Sequence, residues 1–117
     1  MDTNTLIAQH NDAFRKSIAQ FQVADDVPKG KVVMTQGVAG QGPDFQLELT
    51  RKVIAFDAFN EEADPYGIHE MGVIDVAGQT VWFKIDLYDL NYEYGAETPE
   101  DPEQTRRVLT MLFPSEY

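Results

Sequence analysis

His69 and Asp86 form the pair of side chains in this sequence best suited to acid–base chemistry. They stand on two predicted strands joined at Ala77-Gly78, and a two-residue turn there places them opposite each other. A carboxylate that faces an imidazole orients the ring, so that the imidazole can act as a general base. With only two histidines in the chain, the pattern favours a plain polar contact that closes the open end of a hairpin. His69 and Asp86 are nevertheless candidate catalytic residues, with no nucleophile evident beside them.

Neighbouring carboxylates raise the alternative of a small metal-dependent hydrolase. Glu70 follows His69 directly, and Asp89 lies three positions after Asp86. Carboxylates with one imidazole suit a hard cation or a histidine-containing metal site. The absence of cysteine excludes a thiolate zinc site and a cysteine nucleophile. The glycine-containing segment 40–43 is not followed by the Lys-Ser/Thr pair of a phosphate-binding loop. The leading interpretation of the sequence includes neither a bound metal nor a cofactor.

Three further residues on the second predicted strand are candidates for binding. Trp82, Lys84 and Tyr88 alternate along it with apolar positions, so they share one face with Asp86. Lys84 is expected to form an ion pair with Asp86, with Asp75 or with a carboxylate of a loop. Trp82 and Tyr88 suit either an interface anchor or a core face covered by a terminal helix. The sequence leaves these two readings of the aromatic pair open.

Acidic residues are concentrated in one part of the chain. Residues 53–105 contain thirteen acidic residues and one basic residue, a formal charge of −12; the whole chain carries −11, so the remainder carries +1. This field repels nucleic acid and favours a basic protein surface as partner, so we expect no direct nucleic-acid binding. Four glutamates of the acidic loop after the second strand are candidate binding residues: Glu93, Glu97, Glu100 and Glu103.

The hydrophobic pattern predicts an α+β fold. A small, mainly antiparallel sheet is centred on a hairpin at 68–89 and is packed by N-terminal and C-terminal helices. In the hairpin, a two-residue turn pairs Val76 with Gln79 and Met71 with Lys84, whereas a four-residue loop pairs Val76 with Val81 and keeps the same two faces. A bulged turn of odd length would disturb the assignment of the faces. The other predicted elements are a helix at 3–21, a strand at 31–35, a helix that starts near Asp44, and a final helix from Pro102 that ends before Pro114.

Length and composition predict one domain spanning 1–117. A chain of 117 residues with 43% hydrophobic content can bury a core. The N-terminus lacks a basic region followed by an apolar run, so no secretory signal is evident. No stretch approaches the roughly 18 apolar residues that a membrane span requires. We therefore expect a cytoplasmic protein that does not bind membranes.

Several short motifs follow one another along the chain: Asn11-Asp12-Ala13-Phe14-Arg15, Thr35-Gln36-Gly37-Val38, Asp64-Pro65-Tyr66-Gly67 with His69 and Gly72, Lys84-Ile85-Asp86 with Tyr88-Asp89, Thr105-Arg106-Arg107-Val108-Leu109-Thr110, and Glu116-Tyr117. In this order they resemble a domain-of-unknown-function family numbered 3768, a set of small acidic proteins frequent on bacterial plasmids and other mobile elements. The resemblance implies a mobile-element setting and no particular reaction.

The leading hypothesis is that the protein binds other proteins rather than catalyses a reaction. An accessory protein of a mobile element would engage a basic protein surface through its acidic half. In its concrete form it inhibits a nucleic-acid-binding host defence complex by presenting carboxylates where phosphates would lie. The alternative is a small hydrolase, metal-dependent or based on His69 and Asp86. The sequence leaves the oligomeric state open.

Overall fold

A computed structural model describes residues 1–18 and 28–117 of the chain, and its fold is α+β as predicted. Three helices and four strands follow one another along these residues, and a short 3₁₀ helix lies at Pro114–Glu116. The helices are α1 (Thr3–Ser17), α2 (Gln36–Ala39) and α3 (Pro43–Ala55), and the strands are β1 (Gly30–Met34), β2 (Met71–Val76), β3 (Gln79–Tyr88) and β4 (Arg106–Leu112). None of the helices in the described ranges is long and apolar enough to cross a membrane.

The four strands form one sheet in the order β1-β4-β3-β2. The β2–β3 and β3–β4 pairs are antiparallel, and β1 pairs with β4 in parallel. The sheet is therefore mainly antiparallel, as the sequence predicts. Two strands lie at its edges, β1 on one side and β2 on the other.

The hairpin of β2 and β3 has the predicted turn and register. Ala77 and Gly78 both have positive φ, at 51° and 78°, as a two-residue turn of the type favoured in hairpins requires. Val76 pairs with Gln79, and Met71 pairs with Lys84. Because side chains alternate across a strand, this register fixes which residues face the core.

The predicted C-terminal helix is wrong, because residues 106–112 form strand β4. Alternate side chains of this strand, Arg107, Leu109 and Met111, are buried, which is a period of two rather than of 3.6. The strand lies between β1 and β3, and both neighbours satisfy its backbone hydrogen bonds. The residues expected to start a helix form a turn, in which the amide of Glu103 donates to the side chain of Asp101 at 3.0 Å.

The helices contribute their buried apolar side chains to one face of the sheet. The core cluster joins Phe14 of α1, Val38 of α2 and three residues of α3 to the sheet residues Ile74, Val76, Val81, Phe83, Ile85, Leu109 and Met111. Phe83 is fully buried, as the predicted pattern requires. The other face of the sheet, here called the open face, carries Trp82, Lys84, Asp86 and Tyr88 of β3.

The first helix and the helix α3 begin within a few residues of the predicted positions. Asp2 caps α1 by accepting a hydrogen bond from the amide of Thr5 at 2.8 Å. Helix α1 reaches Ser17, and the predicted extension to Phe21 falls outside the described residues. Helix α3 begins at Pro43, one residue before the predicted cap, because Gly42 with φ 95° reverses the chain and Pro suits the first helical turn.

Candidate functional site

The open face holds three of the predicted binding residues, Trp82, Lys84 and Tyr88, together with the catalytic candidate Asp86. Lys84 and Asp86 lie two positions apart on β3, so their side chains point the same way, and Lys84 Nζ donates to Asp86 Oδ2 at 2.6 Å. This hydrogen bond raises the pKa of the Lys84 ammonium above its ordinary value. The expected ion pair of Lys84 is therefore present, and Asp86 is its partner.

The two aromatic residues of the open face make aromatic contacts there. Trp82 is half-buried, and its ring meets the ring of Tyr117 edge-on with centroids 5.7 Å apart. Tyr88 lies at the opposite end of the strand, and its ring centroid is 6.5 Å from that of Tyr92. Because residues 106–112 form a strand, the terminal helix that the sequence allowed as a cover for this face is not formed.

The predicted acidic binding residues lie on the connection between β3 and β4. Glu93, Glu97 and Glu103 are exposed, and Glu100 is half-buried. The start of this connection folds back on the end of β3, where the amide of Asp89 donates to the carbonyl oxygen of Tyr94 at 2.8 Å. The carboxylates therefore extend from an ordered loop next to the Tyr88 end of the open face.

The predicted pairing of His69 with Asp86 is wrong. Strand β2 begins at Met71, and His69 has a φ of 57°, which ends the strand geometry before the two residues can pair. The His69 imidazole contacts Asp12 of α1 instead, with Nδ1 at 3.0 and 2.9 Å from the two carboxylate oxygens. The hairpin therefore positions Asp86 but not His69.

Asp12 joins His69 to a buried arginine. Arg15 is 1% exposed, and it donates to Asp12 Oδ1 at 3.0 Å and to the carbonyl oxygen of Val53 at 2.7 Å. Both terminal nitrogens of this guanidinium are paired, with a carboxylate and with the end of α3, whereas Nε has no hydrogen-bond partner in the described residues. Asp12 thus bridges the arginine that holds α1 against α3 and the histidine of the loop before β2.

Asp64 explains the backbone conformation of His69. Its carboxylate accepts hydrogen bonds from the amides of Ile68 and His69 at 3.2 and 3.1 Å, and its carbonyl oxygen accepts one from Gly67 at 3.0 Å. Positive φ costs a histidine about 1 kcal/mol or more, and such a conformation persists where surrounding contacts enforce it. The Asp64-Pro65-Tyr66-Gly67 segment is therefore a turn that aims the histidine at α1.

A second buried pair, Asn11 and Arg107, continues the polar contacts of Arg15, Asp12 and His69 to the sheet. Asn11 is fully buried, its Nδ2 donates to the carbonyl oxygen of Ile68 at 2.8 Å, and its Oδ1 accepts from Arg107 Nε at 2.8 Å. Arg107 is also fully buried, and neither of its terminal nitrogens has a hydrogen-bond partner in the described part of the chain. Burial lowers the pKa of the Arg107 guanidinium from its ordinary value to about 10.

The cluster of Asn11, Asp12, Arg15, His69 and Arg107 was not expected as a unit. Sequence reasoning found the histidine but missed its partners, which lie on α1. A usable signal is that Asn11 and Arg15 occupy the same helical face as Ile7 and Phe14, where polar residues are buried only when they are paired.

The geometry around His69 suits structure better than catalysis. One face of its ring stacks on Phe59, with centroids 4.0 Å apart and planes 3° from parallel. Its second nitrogen lies 3.9 Å from Asp64 Oδ2, so carboxylates approach the ring at both nitrogens. Among residues 1–18 and 28–117, no three His, Asp or Glu side chains are arranged to hold a metal ion.

The comparisons with known proteins give a family. A family model described as "Protein of unknown function (DUF3768)" matches residues 34–116. The match includes His69 and Arg107 of the polar cluster and also Asp64, whereas Asn11, Asp12 and Arg15 precede it. No match was found among the curated proteins or among the solved structures. Because the family model covers most of the chain, and in agreement with the resemblance of its motifs, the protein belongs to the DUF3768 family.

Proposed function

We propose that this protein binds a basic surface of a partner protein through the acidic half of its fold. The observation that carries the proposal is that the carboxylates of residues 53–105 are largely without ion-pair partners. Asp86 is paired with Lys84. The other ion pairs of Lys and Arg in the described ranges, Arg15 with Asp12 and Lys52 with Glu48, use carboxylates outside this block.

Residues 19–27 add no candidate ion-pair partner for the acidic block. Segment 19–27 contains no Lys, Arg or His, so it offers no cation to the acidic block. Most of the block's carboxylates are also on exposed residues: Asp57, Glu61, Glu62, Glu70, Asp75, Glu93, Glu97 and Glu103. An exposed group of like charges raises the free energy of the isolated protein, and a cationic partner relieves that repulsion.

The open face supplies the apolar contacts that such an interface needs. Trp82 and Tyr88 lie on it at half-buried positions, and Val73, which pairs with Trp82, is 56% exposed. Interfaces obtain most of their affinity from a few aromatic anchors, whereas surrounding charges increase the association rate and specificity. The proposal assigns the anchor role to Trp82 and Tyr88 and the steering role to the loop carboxylates.

A partner that normally binds nucleic acid fits this combination. Its phosphate-binding surface is basic, and spaced carboxylates can occupy the same cationic positions. A host defence nuclease or restriction complex is the concrete form of this proposal. The support for a mobile-element setting is the resemblance of the motifs.

The experiment compares capture of partners by wild-type protein and by charge variants. Immobilised wild type should enrich a basic protein from host lysate, to be identified by mass spectrometry. The variant Glu93→Gln/Glu97→Gln should capture less of it, and adding Glu100→Gln and Glu103→Gln should reduce capture further. Asp2→Asn/Asp44→Asn, which changes the net charge equally outside the block, is the control. Asn at position 2 preserves a helix cap.

The captured partner is then purified for kinetic measurements. Its association rate should fall steeply from low to high salt, because the screening length shrinks from about 30 Å at 0.01 M to about 3 Å at 1 M. Duplex DNA should compete for the same partner. Trp82→Ala should mainly raise the dissociation rate. An association rate that changes neither with salt nor with the four Glu→Gln substitutions would refute the proposal.

The hydrolase alternative gains no support from the geometry. Its His/Asp-based form required His69 beside Asp86, and His69 lies against Asp12 and Phe59 instead. We therefore assign His69 to the contact that holds the loop before β2 against α1.

A further inference from the structure

We propose that the free edge of β2 and the pocket beside it bind an extended segment of a partner protein, one that carries a large apolar side chain flanked by Lys or Arg. This inference rests on the proposed function and deepens it, because it names a binding groove and the chemistry of its ligand. The groove is distinct from the acidic loop between β3 and β4.

The pocket is apolar and adjoins the strand edge. It has a volume of about 330 Å³, which suits one large aliphatic or aromatic side chain. One wall is β2 itself, and the other is the chain that follows α3. The lining residues are Phe56, Ala58, Phe59, Asn60, Ala63, Met71, Gly72 and Val73.

Aromatic contacts fix the outer wall. Phe56 meets Phe83 of the core and Phe59 edge-on, with centroid distances of 5.2 and 4.9 Å, and Phe59 stacks on His69. The wall is therefore built from side chains anchored in the core and in the polar cluster. A pocket held in this way needs little rearrangement to receive a side chain.

The edge of β2 presents unused backbone groups to the same groove. Glu70 accepts a hydrogen bond from the amide of Ile85 at 2.7 Å, so its backbone faces β3. Because backbone groups of an antiparallel strand alternate in direction, those of Met71, Val73 and Asp75 point away from β3. In the described part of the chain no strand pairs with this edge. An extended peptide can add there as a further strand.

Within the described ranges, the carbonyl group of Asp75 has a hydrogen-bond partner outside the sheet, which agrees with its pointing away from β3. Lys52 Nζ of α3 donates to the carbonyl oxygen of Asp75 at 2.7 Å. That contact closes the far end of the edge and leaves Met71 and Val73, the two residues that also line the pocket, for a peptide. Main-chain bonding and side-chain insertion thus coincide at the same two residues.

The charge around the groove selects a basic ligand. Asp57, Glu61 and Glu62 lie on the outer wall beside lining residues. Glu70 precedes β2 and Asp75 lies near its other end, and all five residues are exposed. Burial raises the pKa of Glu70, and the carboxylates of Asp64 and Asp86 raise it further. A neighbouring cation in the ligand would offset this repulsion. The same carboxylates oppose occupation by a second copy of this acidic chain.

The test uses a fluorescein-labelled peptide of alternating basic and Val residues with one central Phe. Fluorescence anisotropy should show saturable binding, weakened about tenfold or more when the Phe is replaced by Ser, because an apolar side chain is then no longer buried. The same peptide with Glu at its basic positions should not bind. Sedimentation should show that the protein stays in its initial oligomeric state on binding.

Protein variants address the pocket, the edge and the charge separately. Ala63→Trp fills the pocket, and Val73→Pro removes one outward amide without touching the bonds to β3; each should weaken binding about tenfold or more. Glu61→Gln/Glu62→Gln should weaken it at low salt and less at high salt, whereas Asp2→Asn/Asp44→Asn, with the same charge change, should bind as wild type. Circular dichroism checks that each variant folds.

Amide exchange locates the peptide. On binding, the amides of Met71 and Val73 should become protected, while those of Gly72 and Ile74 are already protected in the free protein. Equal binding of the peptide by wild type, Ala63→Trp and Val73→Pro would overturn the groove. Edge-to-edge dimerisation, or binding of an apolar dye alone with no peptide binding, would overturn it as well. If partner capture still depends on Glu93 and Glu97, the proposed function survives this failure.

Discussion

Replacing Asn11 by Leu should destabilise the protein far more than a loss of one ordinary hydrogen bond. Asn11 is fully buried and connects the carbonyl oxygen of Ile68 to Arg107 Nε, each over 2.8 Å. Leucine has the same number and branching of side-chain heavy atoms, so the substitution removes the polar contacts without opening a cavity. What it leaves behind is a buried guanidinium with no hydrogen-bond partner for its side chain in the described residues.

The magnitude follows from the state of Arg107. Removing one partner of a buried charge typically costs about 3–5 kcal/mol, because the remaining charge is left without compensation. The charge of Arg107 is already disfavoured by burial, because a pKa lowered to about 10 corresponds to roughly 3 kcal/mol against the charged form. Asn11→Leu should therefore lower the free energy of unfolding by about 3–5 kcal/mol.

The companion variant Arg107→Met separates this explanation from simple packing loss. It removes the buried charge, which offsets the loss of the bond to Asn11, so its cost should be about 1–2 kcal/mol. In the double variant neither an unpaired charge nor an unpaired amide remains at this position. Its cost should be smaller than the sum of the single costs by about 2 kcal/mol or more, as expected for directly bonded groups.

The pH dependence has a sign that can be checked in the same series. Because the folded pKa of Arg107 lies below the unfolded one, the unfolded chain holds more of this proton than the folded chain as pH rises above about 10. Wild-type stability should gain relative to Arg107→Met only above about pH 10, and the difference should be flat between about pH 6 and 9.

The assay is urea unfolding followed by circular dichroism and by Trp82 fluorescence, with coincident transitions as the control for two-state behaviour. Costs of the two single substitutions that add within about 0.5 kcal/mol in the double variant would refute the reasoning.

Three further expectations concern other parts of the fold. Phe83→Ala should cost about 3–5 kcal/mol, because the side chain is fully buried in the core; a cost below about 1 kcal/mol in urea unfolding would contradict this. His69→Gln should lower stability by about 1–2 kcal/mol through loss of the Asp12 contact and leave partner capture within a few-fold; lost capture at unchanged stability would argue for a direct role. The hydrogen bond from Thr35 lowers the pKa of Glu116, so its stabilising contribution is present above about pH 4.5 and is lost as pH falls through the folded pKa. Glu116→Gln should therefore flatten the acid side of the stability profile, and an unchanged profile would count against this contact.

The hairpin could be predicted from the sequence because its signals are local. Ala77-Gly78 lies between two alternating segments, and a tight turn fixes the register of the strands on both sides. The core positions Val81, Phe83 and Ile85 followed directly from that register. The positions of Lys84 and Asp86 on the opposite face followed in the same way, which is why their contact was anticipated.

Local turn and alternation signals were not enough to identify strand β4. Its apolar run, Val108 to Leu112, is short enough to fit either a helix or a strand, and the Asp101-Pro102 turn before it resembles a helix start. The choice is made by its neighbours, β1 and β3, which supply hydrogen bonds along both edges. Pairing with β1 joins residues that lie far apart in the chain, and no local pattern reports it.

The polar cluster escaped prediction for a related reason. Its contacts span 57 residues from Asp12 to His69 and 96 residues from Asn11 to Arg107. Strand spacing suggested Asp86 as the partner of His69, but Asp64 turns the backbone at His69 before the strand begins. A turn that ends a strand early changes the partner of every residue beyond it.

The placement of the cations connects the fold to the proposed binding role. Arg15 and Arg107 are 1% and 0% exposed, so two of the nine basic residues lie inside the fold and cannot form surface ion pairs. Lys84 is bonded to Asp86, and Lys52 to Glu48 and to the carbonyl oxygen of Asp75. The polar cluster therefore uses cations for stability while the carboxylates of the acidic half remain exposed. Substitutions in the cluster should change the free energy of unfolding, and substitutions of surface carboxylates should change the rate of association. An overlap of these two effects in one variant would mean that the acidic surface and the cluster are energetically coupled.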